Sequence, residues 1–183
     1  MAEVDAHIEE ALIRELEQRP ETRISACYQC QKCASGCPIT FASDWLPSQI
    51  IRLILTGGAH EALCSRAIWL CVTCSACTAR CPMGIDLAQV MDVLRRRAVE
   101  LGAVPAGSLE AIFNDAFLKS VRRHGRVYEI GMLTAFKLRS GALARDVEKM
   151  PTMLSKGKIA LMPPRGGDRK TVRQVFERIR KKE

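Results

Sequence analysis

Aromatic residues, histidines and long apolar runs are all scarce in this chain of 183 residues. Phe, Trp and Tyr make up 5% of it, and only three histidines are present. No stretch reaches the roughly 18 uninterrupted apolar residues of a membrane span. The N-terminus also lacks the positive flank and apolar core of a secretion signal. We therefore expect a cytoplasmic protein that neither crosses a membrane nor leaves the cell.

Recognisable catalytic arrangements are missing as well. The sequence has no nucleophile beside a base, no glycine-rich phosphate loop and no pair of carboxylates at catalytic spacing. His7, His60 and His124 have no spacing to one another or to the cysteines that indicates a metal site. We therefore predict no active site within this chain.

The abundant chemical group is the thiol, because the chain has nine cysteines. Residues 27–38 and 71–82 each follow the pattern C-x₂-C-x₂-C-x₃-C-P, which is the run of two-cluster bacterial ferredoxins. In that run the fourth cysteine binds the cluster of the other motif. The pattern predicts two [4Fe–4S] clusters. One would be held by Cys27, Cys30, Cys33 and Cys81, and the other by Cys71, Cys74, Cys77 and Cys37.

Zinc is the competing metal, but structural zinc usually takes its thiolates from two separated C-x₂₋₄-C pairs. Disulfides are disfavoured because most of the cysteines lie too close together in a chain without an export signal. Cys64 stands apart from both motifs and is expected to be a small buried apolar residue. Gly36 is expected to permit close backbone approach beside Cys37.

Polar residues surround the cysteines, and their side chains or backbone amides could adjust the cluster potentials. Ordinary loop polarity is the commoner explanation for such residues. They are Gln29, Gln31 and Lys32 in the first motif and Thr73, Ser75 and Thr78 in the second.

Helical periodicity divides the chain into three predicted parts. Residues 1–21 form an amphipathic helix that ends at Pro20, residues 22–103 a two-cluster domain, and residues 104–183 a basic helical extension. Within the two-cluster domain we expect helices over residues 44–56 and about 60–70, and a longer one from Asp86 to Gly102. The extension should contain helices after Ser108 and over residues 127–148. A last helix after Asp168 is expected to bury Val172, Val175, Phe176 and Ile179.

The expected fold class is all-α. Strand-like alternation is nearly absent, with residues 158–161 the only weak candidate. A ferredoxin of the βαβ kind has little helix between its motifs, whereas here the 33 residues from 38 to 70 have helical patterns. The sequence therefore predicts an α-helical ferredoxin core with a helical C-terminal extension.

Charge is distributed unevenly along the chain. Residues 1–22 carry seven acidic side chains and two arginines, a local net charge of −5, although the whole chain has a formal net charge of +8. Most of the basic excess lies after residue 120. Such asymmetry is typical of a docking face or a nucleic-acid contact, and a merely solvated surface is about as common.

The segments that flank the cysteine motifs resemble the iron–sulfur C subunits (HdrC family) of heterodisulfide reductases. The resemblance is carried by residues 45–52, 68–74 and 81–86, by Arg95 and Arg96, and beyond the core by residues 125–129 and 156–163. The cysteine motifs alone are shared with iron–sulfur subunits of succinate dehydrogenase, glycolate oxidase and glycerol-3-phosphate dehydrogenase complexes. The flanking segments therefore carry the finer assignment.

This resemblance implies membership of a hetero-oligomeric heterodisulfide reductase complex, in which a C-type subunit performs no catalysis itself. It passes electrons from the A-type subunit, which bears flavin and iron–sulfur clusters, to the B-type subunit, which is the catalytic iron–sulfur subunit. The B-type subunit reduces a disulfide such as the coenzyme M–coenzyme B heterodisulfide. The basic C-terminal third would then contact these two partners.

Three alternatives stay open at this point. The chain could be the iron–sulfur subunit of another dehydrogenase or reductase complex, or a freestanding ferredoxin-like carrier, although a carrier would need no long basic extension. It could also be a nucleic-acid-binding protein whose metal sites are structural and whose basic tail contacts phosphate. The shortage of aromatic residues among the late basic residues disfavours this last function, and no nucleic acid is expected as a partner.

Overall fold

The computed structural model describes residues 2–105, 107–141, 155–156, 162–163 and 168–180. The chain divides into two compact units, Met1–Ser108 and Leu109–Glu183. Every regular element in the described residues is helical, which confirms the all-α prediction. Within those residues no helix is long and apolar enough to span a lipid bilayer.

The first unit contains seven α-helices and two short 3₁₀-helices among its described residues. The α-helices are α1 (Ala2–Glu17), α2 (Lys32–Ser35), α3 (Pro47–Leu55), α4 (Ala59–Leu63), α5 (Ala67–Leu70), α6 (Ala76–Arg80) and α7 (Leu87–Glu100). The 3₁₀-helices are η1 (Pro20–Thr22) and η2 (Ile24–Ala26).

Helix α1 packs its apolar stripe against α4, and also contacts α3 and α7. Leu12 and Leu16 are almost completely buried there. The Thr22 hydroxyl donates a buried hydrogen bond of 2.7 Å to the Leu16 carbonyl, which fixes the chain where it turns from α1 into η1. The predicted N-terminal helix is therefore an integral part of the first unit's core.

Helices α3 and α7 form the centre of this unit, each with one buried apolar face. On α3 the buried residues include Ile50, Ile51 and Ile54, and on α7 they include Val90 and Leu94. Helix α7 begins as the sequence predicts, with the Asp86 side chain as its cap, whereas α3 begins at Pro47, three residues after the predicted start at residue 44.

The single helix predicted over about residues 60–70 is wrong, because the structure has two helices there, α4 and α5. The residues between them are not part of a helix, and Asp44 stabilises the start of α5. Its two carboxylate oxygens accept hydrogen bonds of 2.7 Å from the amides of Arg66 and Ala67 at the start of α5. This capping partner lies more than twenty residues away in the sequence, so local periodicity could not reveal the break.

The second unit has three described helices, α8 (Leu109–His124), α9 (Glu129–Ser140) and α10 (Arg169–Arg180). Both α9 and α10 pack against α8. Phe113 on α8 meets Phe136 on α9 edge to face, with ring centroids 5.7 Å apart.

The prediction that α10 buries four apolar side chains is only partly correct. Val172 and Phe176 are half-buried, whereas Val175 and Ile179 are about half exposed. Asp168 does cap this helix, because its side chain accepts a 3.0 Å hydrogen bond from the Thr171 amide. The strand candidate at residues 158–161 and the end of the helix predicted over 127–148 lie outside the described residues.

Candidate iron–sulfur site

The two cysteine motifs fold into equivalent loops, each followed by one short helix, α2 in the first motif and α6 in the second. The residues on either side of the central cysteine have left-handed backbone conformations in both loops. They are Gln29 (φ 59°) and Gln31 (φ 63°) around Cys30, and Thr73 (φ 49°) and Ser75 (φ 57°) around Cys74.

Four non-glycine residues with positive φ at matching positions are unusual, because this conformation brings Cβ close to the backbone. Such conformations persist where the surroundings impose them, and they cluster at functional sites. Alternating backbone conformations of this kind turn successive amides toward one point, as in many anion and iron–sulfur sites. The left-handed residues therefore mark both loops as candidate functional sites.

The eight motif cysteines line two separate cavities. The first cavity is lined by Cys27, Cys30, Cys33 and Cys81, and the second by Cys37, Cys71, Cys74 and Cys77. Each cavity thus receives three cysteines from one motif and the fourth cysteine of the other motif. The first cavity measures about 350 Å³ and the second about 530 Å³, both including space open to solvent.

Apolar side chains complete the walls of both cavities. Ile51 of α3 and Leu87 of α7 line the first, whereas Trp45 and Met91 line the second. Surroundings of this kind exclude water and lower the local dielectric, which is one way a protein sets the potential of a bound cluster.

The cysteines differ in their exposure to solvent. Cys30 and Cys74, the central cysteines of the two motifs, are exposed, whereas Cys33 is buried. Burial, with a smaller contribution from the nearby thiols of Cys27 and Cys77, raises the pKa of the Cys33 thiol to about 11. Cys33 and Cys77, here called the inner cysteines, lie in helices α2 and α6, which contact each other.

Hydrogen bonds reach several of the sulfur atoms. Gln29 Nε2 donates to Cys27 Sγ at 3.4 Å, and the Ile85 amide donates to Cys81 Sγ at 3.4 Å. Burial raises the pKa of Cys77, while hydrogen bonds from Thr78 act in the opposite direction. Donors to sulfur stabilise the thiolate, which is the form that binds metal.

Arg95 on α7 supports the chain where it enters the second motif. Its Nε donates a 2.5 Å hydrogen bond to the Ile68 carbonyl, and its Nη2 donates to the carbonyl of Cys71. The side chain also pairs with Asp92 at 2.8 Å and is only 18% exposed. The sequence offered no local signal for this contact, because Arg95 stands more than twenty residues after the carbonyls that it binds.

Gly36 and Arg80 occupy equivalent positions, each just before the fourth cysteine of its motif, and they meet. A methyl group on Gly36 would lie 2.6 Å from Cδ and Nη1 of Arg80. The prediction that another backbone segment lies close to Gly36 is therefore wrong. The atoms nearest to this glycine belong to the Arg80 side chain.

Cys64 lines neither cavity, and the prediction that it is buried is wrong, because this cysteine is exposed. Its sulfur lies 3.6 Å from Nε2 of His60, one helical turn earlier. This pair was not predicted from the sequence, although a spacing of four residues on a predicted helix is a recognisable signal.

The donor set in each cavity fits a [4Fe–4S] cluster. Such a cluster takes one thiolate on each of its four irons, and each cavity offers four thiols spread around its wall. Among the residues that the structure describes, no group of three or more Cys, His, Asp or Glu side chains is arranged around a single metal ion.

Comparison with known families and proteins agrees with this geometry. Residues 23–85 match the family model of the 4Fe–4S dicluster domain. This segment contains both motifs and all eight cysteines that line the cavities.

Several relatives are C subunits of heterodisulfide reductases. The iron–sulfur C subunit of the CoB–CoM heterodisulfide reductase of Methanopyrus kandleri is 30% identical over 86 residues, which are 47% of this chain and 45% of that protein. A second such protein, the C 2 subunit of Methanocaldococcus jannaschii, is 34% identical over 79 residues, 43% of this chain and 42% of that protein. An Archaeoglobus profundus protein described as similar to the heterodisulfide reductase C subunit is 28% identical over 109 residues, 59% and 58% of the two chains.

The resemblance to heterodisulfide reductase C subunits is thereby confirmed, over 43% to 59% of the chain. The chain spans about half the length of these curated relatives.

Proposed function

We propose that this chain, which resembles heterodisulfide reductase C subunits and contains a 4Fe–4S dicluster domain, is an electron-transfer subunit of a heterodisulfide-reductase-type complex. The observation that carries the proposal is the division of eight cysteines into two cavities of four thiols each. A [4Fe–4S] cluster in such a cavity takes up and releases one electron without making or breaking a bond.

The cysteines of each cavity are proposed as its ligands. Cys27, Cys30, Cys33 and Cys81 would hold the cluster of the first cavity, and Cys71, Cys74, Cys77 and Cys37 that of the second. When all four irons carry thiolates, none is left to bind a substrate, so full ligation favours relay over catalysis. The substrate chemistry is therefore assigned to other subunits.

The exposure pattern of the cysteines supports passage of an electron through the chain. The inner cysteines Cys33 and Cys77 lie in the contacting helices α2 and α6. The central cysteines Cys30 and Cys74 face solvent, one from each cavity. Each cavity thus has a side toward the other cavity and a side that a partner protein can reach.

Apolar side chains stand exposed beside these solvent-facing cysteines. Tyr28 is 60% exposed and Met83 48% exposed, both lining the first cavity, and Val72 beside the second is 60% exposed. Apolar and aromatic groups are enriched at the centre of protein interfaces. We propose that partner proteins contact the chain at these two edges.

By analogy with its relatives, the proposed electron donor is the flavin-bearing A-type subunit and the proposed acceptor is the disulfide-reducing B-type subunit. The basic unit Leu109–Glu183 supplies a further contact surface. Its exposed cations include Arg122, Arg123 and Arg126, which favour a partner with an acidic surface.

The proposal is tested with the full chain purified without oxygen from its native source. We expect about eight irons and eight sulfides per chain, and after dithionite reduction the EPR signals of two interacting cubane clusters. A co-purifying flavoprotein should reduce the chain when given its own electron donor, as followed by bleaching of the iron–sulfur absorbance.

The alternatives give different results in the same experiment. Zinc without iron or sulfide would reject the electron-transfer function and favour a structural metal site. Two clusters in a chain that purifies alone, and that exchanges electrons with many small redox proteins, would favour the freestanding carrier.

A further inference from the structure

The two halves of the first unit share more than their cysteine loops. Ser48 and Ile51 of α3 line the first cavity, and Ala88 and Met91 of α7 line the second. The residue numbers differ by 40 in both pairs, so α3 and α7 present matching faces to the two cavities. In this register Arg95 on α7 corresponds to Leu55 on α3.

The same correspondence holds for the groups that Arg95 binds. Ile68 and Cys71 in the second half correspond to Ile24 and Cys27 in the first, because the motifs are offset by 44 residues. The Ile68 and Cys71 carbonyls accept hydrogen bonds from Arg95. In the first half the Ile24 carbonyl accepts instead from the Cys27 amide at 3.0 Å. The neutral Leu55 supplies no cation there.

We infer that Arg95 raises the reduction potential of the cluster in the second cavity above that of the cluster in the first. The singly reduced chain then holds its electron in the second cavity. This inference rests on the proposed function, since it assumes that both cavities hold clusters. It assigns Arg95 as a positioning residue that acts through its charge and through the Cys71 backbone.

The physical basis is electrostatic. Reduction adds one negative charge to a cluster, and a nearby positive charge stabilises the reduced form, so it raises the potential. Arg95 is 18% exposed, so solvent screens its charge less than that of a surface side chain. Its partner Asp92 carries the opposite charge but is 60% exposed, and water therefore weakens its effect more strongly.

Other cations near the motifs do not create the same asymmetry. Lys32 in the first motif is exposed and well screened. Arg80 is also exposed, and it immediately precedes Cys81. Its side chain lies against Gly36, which immediately precedes Cys37. Its charge acts on both halves. Arg95 is a partly buried cation whose hydrogen bonds to the Ile68 and Cys71 carbonyls place it in the second half.

The experiment is an EPR-monitored potentiometric titration of the anaerobic full chain with both clusters, comparing the native protein with four variants. Arg95→Leu should lower the potential of one cluster and leave the other nearly unchanged. Leu55→Arg adds a cation at the corresponding place in the first half, where the native side chain is 38% exposed, so it should raise the potential of the other cluster by a smaller amount than the shift in Arg95→Leu. Arg52→Leu removes an exposed cation from α3 and should shift neither potential appreciably.

Arg95→Lys separates charge from positioning. Lysine keeps the charge but lacks the planar guanidinium that binds two carbonyls together. If charge sets the potential, Arg95→Lys should keep it close to the native value even if the protein becomes less stable. Leu55→Arg removes no hydrogen bond and keeps the inference testable if Arg95→Leu loses its second cluster.

Two results would overturn the inference. One is an equal shift of both potentials in Arg95→Leu. The other is unchanged potentials in both Arg95→Leu and Leu55→Arg while about eight irons are retained. Neither result would affect the proposed function, because the clusters would still be present. Failure of the proposed function would show instead as absent iron in the native chain.

Discussion

The Thr78 hydroxyl donates a hydrogen bond of 2.8 Å to Oδ1 of Asp86, and so connects the helix that carries Cys77 to the start of α7. The same carboxylate caps α7, because Oδ1 also accepts hydrogen bonds from the amides of Ala88 at 3.0 Å and Gln89 at 3.2 Å. Burial acts to raise the pKa of Asp86, but these donors outweigh it and lower the pKa below its ordinary value. The Asp86 side chain therefore holds both the start of α7 and the helix that carries Cys77, a residue that lines the second cavity.

Replacing this cap should destabilise the first unit. Asp86→Ala removes an N-cap and leaves the Thr78 hydroxyl without its acceptor, so we expect the free energy of unfolding to fall by about 1–2 kcal/mol. Asp86→Asn keeps a capping oxygen and should lose less. Anaerobic chemical denaturation of the cluster-loaded protein measures both variants, and equal losses for Ala and Asn would contradict the role of the cap.

The fourth cysteine of each motif is proposed to bind the cluster of the other motif. Replacing one fourth cysteine and identifying which thiols become reactive tests this proposal. Cys81→Ala should destabilise the cluster of the first cavity, because Cys81 lines that cavity with the three cysteines of the other motif. Anaerobic alkylation followed by mass spectrometry should then label Cys27, Cys30 and Cys33 while Cys37, Cys71, Cys74 and Cys77 stay protected.

Cys37→Ala should give the opposite labelling pattern. Cys64→Ala is the matched control, since Cys64 lines neither cavity, and it should keep about eight irons per chain. Labelling of Cys71, Cys74 and Cys77 in the Cys81→Ala variant would show that each motif supplies its own fourth ligand.

In the iron-free chain, the rate at which the Cys33 thiol is alkylated should depend steeply on pH. Burial raises the pKa of this thiol to about 11, so at neutral pH nearly all of it is protonated. Because only the thiolate reacts, its alkylation rate should rise about tenfold per pH unit between pH 7 and 9 and stay below that of the exposed Cys30. Mass spectrometry after timed iodoacetamide pulses measures both rates, with circular dichroism as the check that the iron-free chain stays folded. Equal rates for Cys33 and Cys30 in the folded chain would be incompatible with a buried thiol.

The position of α1 should depend on Glu15. Its carboxylate pairs with Arg97 at 2.7 Å and with Arg96, both on α7, and it is only 22% exposed. Although burial lowers the pKa of Arg97, Glu15 and Glu100 raise it, with a net increase. Glu15→Gln should therefore cost roughly 1 kcal/mol of unfolding free energy.

The matched control for Glu15 is Glu10, which pairs with Arg14 on the same helix. Both of those side chains are about two thirds exposed, so Glu10→Gln should change the unfolding free energy by less than roughly 0.5 kcal/mol. A loss as large for Glu10→Gln as for Glu15→Gln would show that the charge of α1 matters and its contact with α7 does not.

The amino-acid pattern alone predicts the cluster chemistry of this protein and the helices that carry it. Two copies of one cysteine pattern are sufficient to predict two clusters, because the spacing of thiols on a tight loop limits which metal group they can hold. The helices were predictable where one local signal governs them, such as Pro47 at the start of α3 and Asp86 before α7. The periodic apolar residues of α1 likewise predicted a buried face.

Features that join distant segments depend on how the helices pack, and local sequence patterns do not specify them. Asp44 caps the start of α5, so α4 and α5 are separate helices where the sequence pattern predicted a single one. The exposure of Cys64 and of Val175 depends on which neighbours cover each helix face, and periodicity does not specify the neighbours. The contact of Arg95 with the Cys71 carbonyl arises because α7 packs on α5. Hydrogen bonds and burial between such segments are set by packing, so the asymmetry between the two halves emerges only when the chain is folded.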